Sequence, residues 1–178
     1  VIETAAPHVP RRLRRWLKSC RWSISADRAF AEVIRRCAEP RGDGAGTWIT
    51  AAMIDAYRRL HAQGHAHSVE VMDGEELVGG IYGVAIGRMF FGESMFSARD
   101  HASKVALLAL CRGLAGAGCP LLDAQVCSEH LQTLGAQEMP RREFSRRIAE
   151  LVDRPPPQGE WAGLFDGIAP SSLGRQPA

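Results

Sequence analysis

Two short segments set charged or amide side chains inside otherwise apolar, strand-like runs: FFGESMF at residues 90–96 and LLDAQV at residues 121–126. A polar group buried without a partner costs roughly 2–7 kcal/mol, so Glu93, Asp123 and Gln125 are expected to face a partner or a substrate. In a strand, residues i and i+2 share a face. Asp123 and Gln125 would then point the same way, roughly 6.5–7 Å apart, while Leu122, Ala124 and Val126 turn into a core. A carboxylate and an amide at that spacing make a polar site on a rigid element.

The elements that position these groups follow from the pattern on either side. Residues 1–10 read as an irregular lead-in, and residues 11–20 as a short helix. Its two faces are Arg11, Arg14, Arg15 and Lys18 on one side and Leu13, Trp16, Leu17 and Cys20 on the other. Asp27 is expected to open a second helix through Cys37, with the turn-rich PRGDGAG at 40–46 as a connector. Thr50 is a predicted N-cap for a third helix, stopped by Gly64. HSVEVM, LVGGIYGVAIG and RMFFGESMF then predict three consecutive antiparallel strands over 67–96, the first two joined at DGEE. ASKVALLALCRGLAGAG is apolar nearly all round and predicts a buried helix. LLDAQV follows as a parallel or central strand, then helices over SEHLQTLG and PRREFSRRIAELV, and from PPPQGEW an unstructured tail.

A chain of 178 residues, 46% of them hydrophobic, can bury one good core. The net charge is only +2, but six basic residues and no acidic one lie between Arg11 and Arg21. Such a cluster suits a polyanion, with a solvated helical face or a membrane-surface helix as the alternatives. Five cysteines without a CxxC pair suit reduced thiols and a cytoplasmic home. No apolar run approaches the roughly 18 residues of a membrane span, so no membrane partner is expected. His61, His65, His67 and Glu70 lack a catalytic zinc spacing, and no metal is expected.

Longer strings carry a resemblance: HVPRRLRR, GTWITAAMIDAYRRLHAQGHAHSVEV, ELVGGIYGVAIGRMFFGESMFS, ASKVALL, LLDAQV and HLQTLGAQEMPRREF. These resemble the bacterial leucyl/phenylalanyl-tRNA–protein transferases, in the family's order and over most of residues 8–147. The resemblance implies an α+β fold whose mixed sheet, flanked by helices, is like that of GCN5-related N-acyltransferases. It further implies transfer of Leu or Phe, and Met as well, from Leu-tRNA or Phe-tRNA to proteins with an N-terminal Arg or Lys. That modification would mark the acceptors for N-degron degradation. Aminoacyl-tRNA is then a substrate, no cofactor is expected, and the enzyme is expected to be a cytoplasmic monomer. Family members carry an upstream region with FPW-like and WWSP-like motifs that this sequence lacks. The expected organisation is a remnant of an N-terminal region at 1–40, a catalytic domain at 41–152 and a flexible tail at 153–178.

On this resemblance Asp123, Gln125 and Glu93 form the catalytic set. An aminoacyl ester is already activated, so no nucleophilic side chain is required. The acceptor α-amine, with a pKa of about 8, must be neutral and aimed at the carbonyl. Asp123 and Gln125 would orient it, unless the terminal ribose hydroxyl shuttles the proton. Glu93 would support Gln125 or receive the cationic acceptor. Trp48 would stack on the terminal adenine, with Tyr57 adding its hydroxyl. Ile81, Phe90, Leu107, Leu110 and Leu122 would line the pocket for the transferred side chain. Arg11, Arg12, Arg14, Arg15 and Lys18 would track tRNA phosphates, with Lys104 marking a phosphate position at a helix start. The alternatives are an acyl-CoA-dependent N-acyltransferase, against which stands the missing Gly-rich pyrophosphate loop, and a tRNA-binding module without catalysis.

Overall fold

A computed structural model describes residues 1–40 and 47–174. The expected connector at 40–46 therefore lies almost wholly outside the described residues. The chain runs β1 (Ile2–Glu3), α1 (Arg11–Leu17), β2 (Ser23–Ala26), α2 (Phe30–Cys37), α3 (Ala51–Ala62), β3 (Ala66–Asp73), β4 (Glu76–Ile86), β5 (Met89–Ser97), α4 (Ala102–Gly116), β6 (Leu121–Asp123), α5 (Glu129–Gln132) and α6 (Arg141–Val152). Two 3-10 turns follow, at Trp161–Phe165 and Pro170–Ser172. The fold is α+β, as expected.

The six strands form one mixed sheet in the order β1-β6-β5-β4-β3-β2. The predicted antiparallel run is β3, β4 and β5, with β2 added antiparallel at its far edge. Asp73 pairs with Glu76 across a two-residue turn in which Gly74 takes φ 62°, the left-handed geometry that short hairpins require. β6 runs parallel to β5, which obliges the chain to cross over between them, and α4 is that crossover. β1 closes the other edge antiparallel to β6.

Alternation along the strands assigns the two faces. On one, Val69, Val71, Val78, Ile81, Phe90 and Leu122 pack against α4 and α1. On the other, Ala66, Leu77 and Tyr82 pack with Phe30, Val33 and Ile34 of α2, and Met89 and Leu121 pack with Leu151 of α6. This second face is thus covered by two separate groups of helices. The stretch of sheet between them is where the polar groups lie.

Several expectations require correction. Asp27 does not open α2: it sits at φ 58° and its carboxylate accepts from the Ser68 N–H at 2.8 Å, while α2 begins at Phe30. Residues 153–174, expected to lie in a flexible tail, return to the core instead. Phe165 and Leu173 are buried beside α4 and α1, and the Phe165 ring lies where a Cβ on Gly113 would stand, 2.6 Å away. Strands from residues 1–26 and 66–97 share one sheet across the expected boundary at residue 40.

Candidate active site

Glu93 owes its position to an irregularity in β5. Tyr82 of β4 is paired with Ser94 and Gly83 with Gly92, so Glu93 is an extra residue between them, a β-bulge. A bulge sets two successive side chains towards the same side. Ser94, opposite Tyr82, and Glu93 therefore both lie on the α2–α3 face. Sequence alternation alone had no means of showing this, because the extra residue is defined only by its partner strand.

α3 brings Tyr57 to this point. Thr50 caps it as predicted, accepting from the Met53 N–H at 3.3 Å. Burial, then hydrogen bonding to the Glu93 carboxylate, pushes the Tyr57 phenol well above its ordinary pKa, so it stays a proton donor. The Tyr57 ring meets Tyr82 edge-on at 5.2 Å. Trp48 stands half-exposed on the segment that leads into α3.

Asp123 reaches the same face from β6, since it is paired with Phe91 two residues before Glu93. The two carboxylates are thus offset by one strand and by roughly 6.5–7 Å along it. The expected partnership of Asp123 and Gln125 takes another form. β6 stops at Asp123, and Gln125 lies at φ 57° outside the strand. Its backbone N–H donates to Asp123 Oδ1 at 2.8 Å. This is the turn that Asp side chains favour, closing on the amide two residues ahead. Asp123 and Gln125 are therefore joined through backbone and do not share a strand face. Val126, expected in the core, is 70% exposed.

The premature end of β6 leaves β5 beyond Phe91 paired with β4 alone. The sheet opens there. Ile81, Phe90, Leu107, Leu110 and Leu122 come together beneath it, at most 5% exposed, in the core on the α4 face. They lie across the sheet from Glu93 and Asp123, with the opening between β5 and β6 beside them.

The basic helix forms as expected over Arg11–Leu17, with Leu13 and Leu17 buried and Arg11, Arg12, Arg14, Arg15 and the following Lys18 exposed. Lys104 stands in the first turn of α4. Burial, followed by the neighbouring Lys104 charge, lowers the pKa of His101 and of His130. At the same helix start, Ser97 Oγ accepts from the Ser103 N–H at 3.1 Å, occupying one of the free amides. The Trp16 ring meets that of His101 edge-on at 5.0 Å, so α1 lies beside the start of α4.

His61, His67 and Glu70, noted in the sequence, belong to a polar region at the other edge, to which Asp27 is the addition that the sequence did not reveal. His67 Nδ1 bonds Asp27 Oδ2 at 2.7 Å, His61 Nδ1 bonds the Ala66 carbonyl at 2.8 Å, and Asp27, His61 and His67 are close enough to hold a cation. The Nδ1 atom of each histidine is already engaged in a hydrogen bond. Glu70, wholly buried, accepts from Ser25 Oγ and Ser68 Oγ and ties β2 to β3.

Residues 1–149 match the model of the leucyl/phenylalanyl-tRNA protein transferase family. Three relatives carry the name leucyl/phenylalanyl-tRNA–protein transferase. That of Xanthomonas campestris pv. campestris strain B100 is 56% identical over 93% of this chain and 67% of its own length. That of Xanthomonas axonopodis pv. citri is 54% identical over 98% and 70%. That of Anaeromyxobacter dehalogenans is 51% identical over 90% and 70%. The chain belongs to the leucyl/phenylalanyl-tRNA protein transferase family, and is an aminoacyltransferase.

Proposed function

We propose that the protein moves Leu or Phe, and Met as well, from its tRNA to the α-amine of proteins that begin with Arg or Lys, marking them for N-degron degradation. The observation that carries this reading is the convergence of Glu93 and Asp123 beside the opening between β5 and β6, in a chain of this family. The neutral amine attacks the ester carbonyl, a peptide C–N bond forms, and the ester C–O bond breaks. The amine proton leaves with the released ribose oxygen. Because the ester supplies the driving force, the protein's task is to position and to stabilise charge.

In this reading Asp123 and the Gln125 amide orient the attacking amine, and Glu93 with Tyr57 receives the cationic acceptor. The transferred side chain passes through the opening and lodges among Ile81, Phe90, Leu107, Leu110 and Leu122. Trp48 stacks on the terminal adenine. α1 and Lys104 hold tRNA phosphates, and the reaction uses neither cofactor nor metal. The protein works as a monomer in the cytoplasm. No helix among the described residues is long and apolar enough to cross a membrane.

The test combines the purified chain, Leu-tRNA or Phe-tRNA and a peptide beginning with Arg. Transfer of the aminoacyl group to the peptide, absent when the first residue is Ala, is the expected result. Transfer from acyl-CoA in its place would favour the acyl-CoA enzyme. Retained tRNA binding with no transfer would favour the binding module.

A further inference from the structure

The segment GGIYGV of β4 is rich in glycine, and packing accounts for each glycine in it. A Cβ on Gly79 would lie 2.6 Å from Ala102 Cβ, one on Gly80 3.0 Å from Val33 and Phe96, and one on Gly83 2.1 Å from the Phe91 carbonyl. Packing accounts for the Tyr82 ring as well, which meets Tyr57 and Phe30 edge-on. It does not account for the hydroxyl. Tyr82 is wholly buried, and its Oη has no hydrogen-bond partner among the described residues. Phenylalanine would fill the same space without leaving a polar atom stranded, and such atoms are uncommon in folded proteins.

The location supplies a reason. Tyr82 is paired with Ser94, immediately beside the bulge that sets Glu93 on this face. Glu93 thus adjoins the cross-strand partner of Tyr82 on the same face, and the Tyr57 ring lies 5.2 Å from that of Tyr82, so the two phenols and the carboxylate share one corner of the sheet. Burial keeps the Tyr82 phenol protonated, so it is a donor in want of an acceptor.

We propose that Tyr82 is a positioning residue for Glu93: its hydroxyl takes over the carboxylate when substrate draws Tyr57 or Glu93 from their mutual contact. The carboxylate then moves between two phenols, one partly and one wholly buried, and is held in both arrangements. The stranded donor of the empty enzyme is the vacant half of that pair. This inference rests on the transfer reaction proposed above.

Tyr82→Phe tests it. A hydrogen bond to a charged group, when removed, corresponds to roughly a ten- to hundredfold change. We expect kcat for transfer to fall by about that factor, with tRNA affinity within about twofold of the wild type. The thermal midpoint should hold or rise, because the empty enzyme loses only an unpartnered group. The double variant Tyr57→Phe with Tyr82→Phe should lose more activity than the product of the two single losses, because each phenol stands in for the other. Unchanged kcat in Tyr82→Phe would overturn the proposal. So would a lower thermal midpoint with kcat and tRNA affinity reduced alike, since the hydroxyl would then be doing structural work. A wild-type chain that transfers nothing refutes the underlying reaction, and is told apart by that control.

Discussion

Asp123 closes a turn and, in the proposed reaction, orients the attacking amine, and these two duties can be separated. One oxygen closes the turn onto the Gln125 N–H, while the charge faces the site. Asp123→Asn retains an acceptor for the turn and removes the charge. Gln125→Gly removes the amide and suits the left-handed backbone at φ 57°, where a side chain is disfavoured by about 1 kcal/mol. Both variants should keep the wild-type melting temperature to within a few degrees. Each should lower kcat for transfer at least about tenfold, the scale of one charge-assisted hydrogen bond. Transfer and tRNA affinity falling by the same factor would remove both residues from the catalytic set. The residue types were legible in the sequence, because a carboxylate and an amide in apolar runs demand a reason. The geometry was not. Alternation treats 121–126 as one strand, and only the Asp123 turn shows that the strand is already over.

The basic helix α1 is the element on which affinity should depend. Its cations are exposed and its anchors, Leu13 and Leu17, are buried, so the charges can be removed without disturbing the core. Each phosphate that is no longer neutralised lowers the slope of log affinity against log salt by about 0.7–0.9. Replacing Arg11, Arg14, Arg15 and Lys18 by Gln should therefore weaken binding most at low salt and flatten the slope by up to about 3. Titration of labelled tRNA at several salt concentrations would show it. An unchanged slope would leave α1 as a solvated surface only. Strands 3 to 5 were legible as elements because each is eight residues or longer and rich in apolar residues, with turn residues between them. β1 and β2, of two and four residues, are too short to carry a period, and long-range pairing alone defines them.

At the scale of the whole molecule, the returning C-terminal segment ties α4 to strand β3. Trp161 stacks on His67 of β3 at 4.2 Å, Phe165 fills the notch at Gly113, and the Ser172 carbonyl accepts from Arg112. Phe165→Ala should cost about 3–5 kcal/mol, the usual range for a buried phenylalanine. Denaturant titration gives the value, and a loss below about 1 kcal/mol would mean that the segment adds little to the fold. The run of prolines at 155–157 masked this in the sequence, because proline and glycine announce a loop and say nothing about where the chain goes afterwards.

The bulge has one more consequence. Glu93 is inserted into a ladder that is otherwise in step: Gly92 faces one way and Ser94 the other, as neighbours in an unbroken strand would. Deleting Glu93 outright would join them as adjacent rungs, with every side chain before and after it still on its present face. The acidic group is thus an addition to the sheet and not a part of its fabric. A chain shortened by this one residue should fold with its circular dichroism intact and lose transfer, whereas removing Phe91 would turn half a strand inside out.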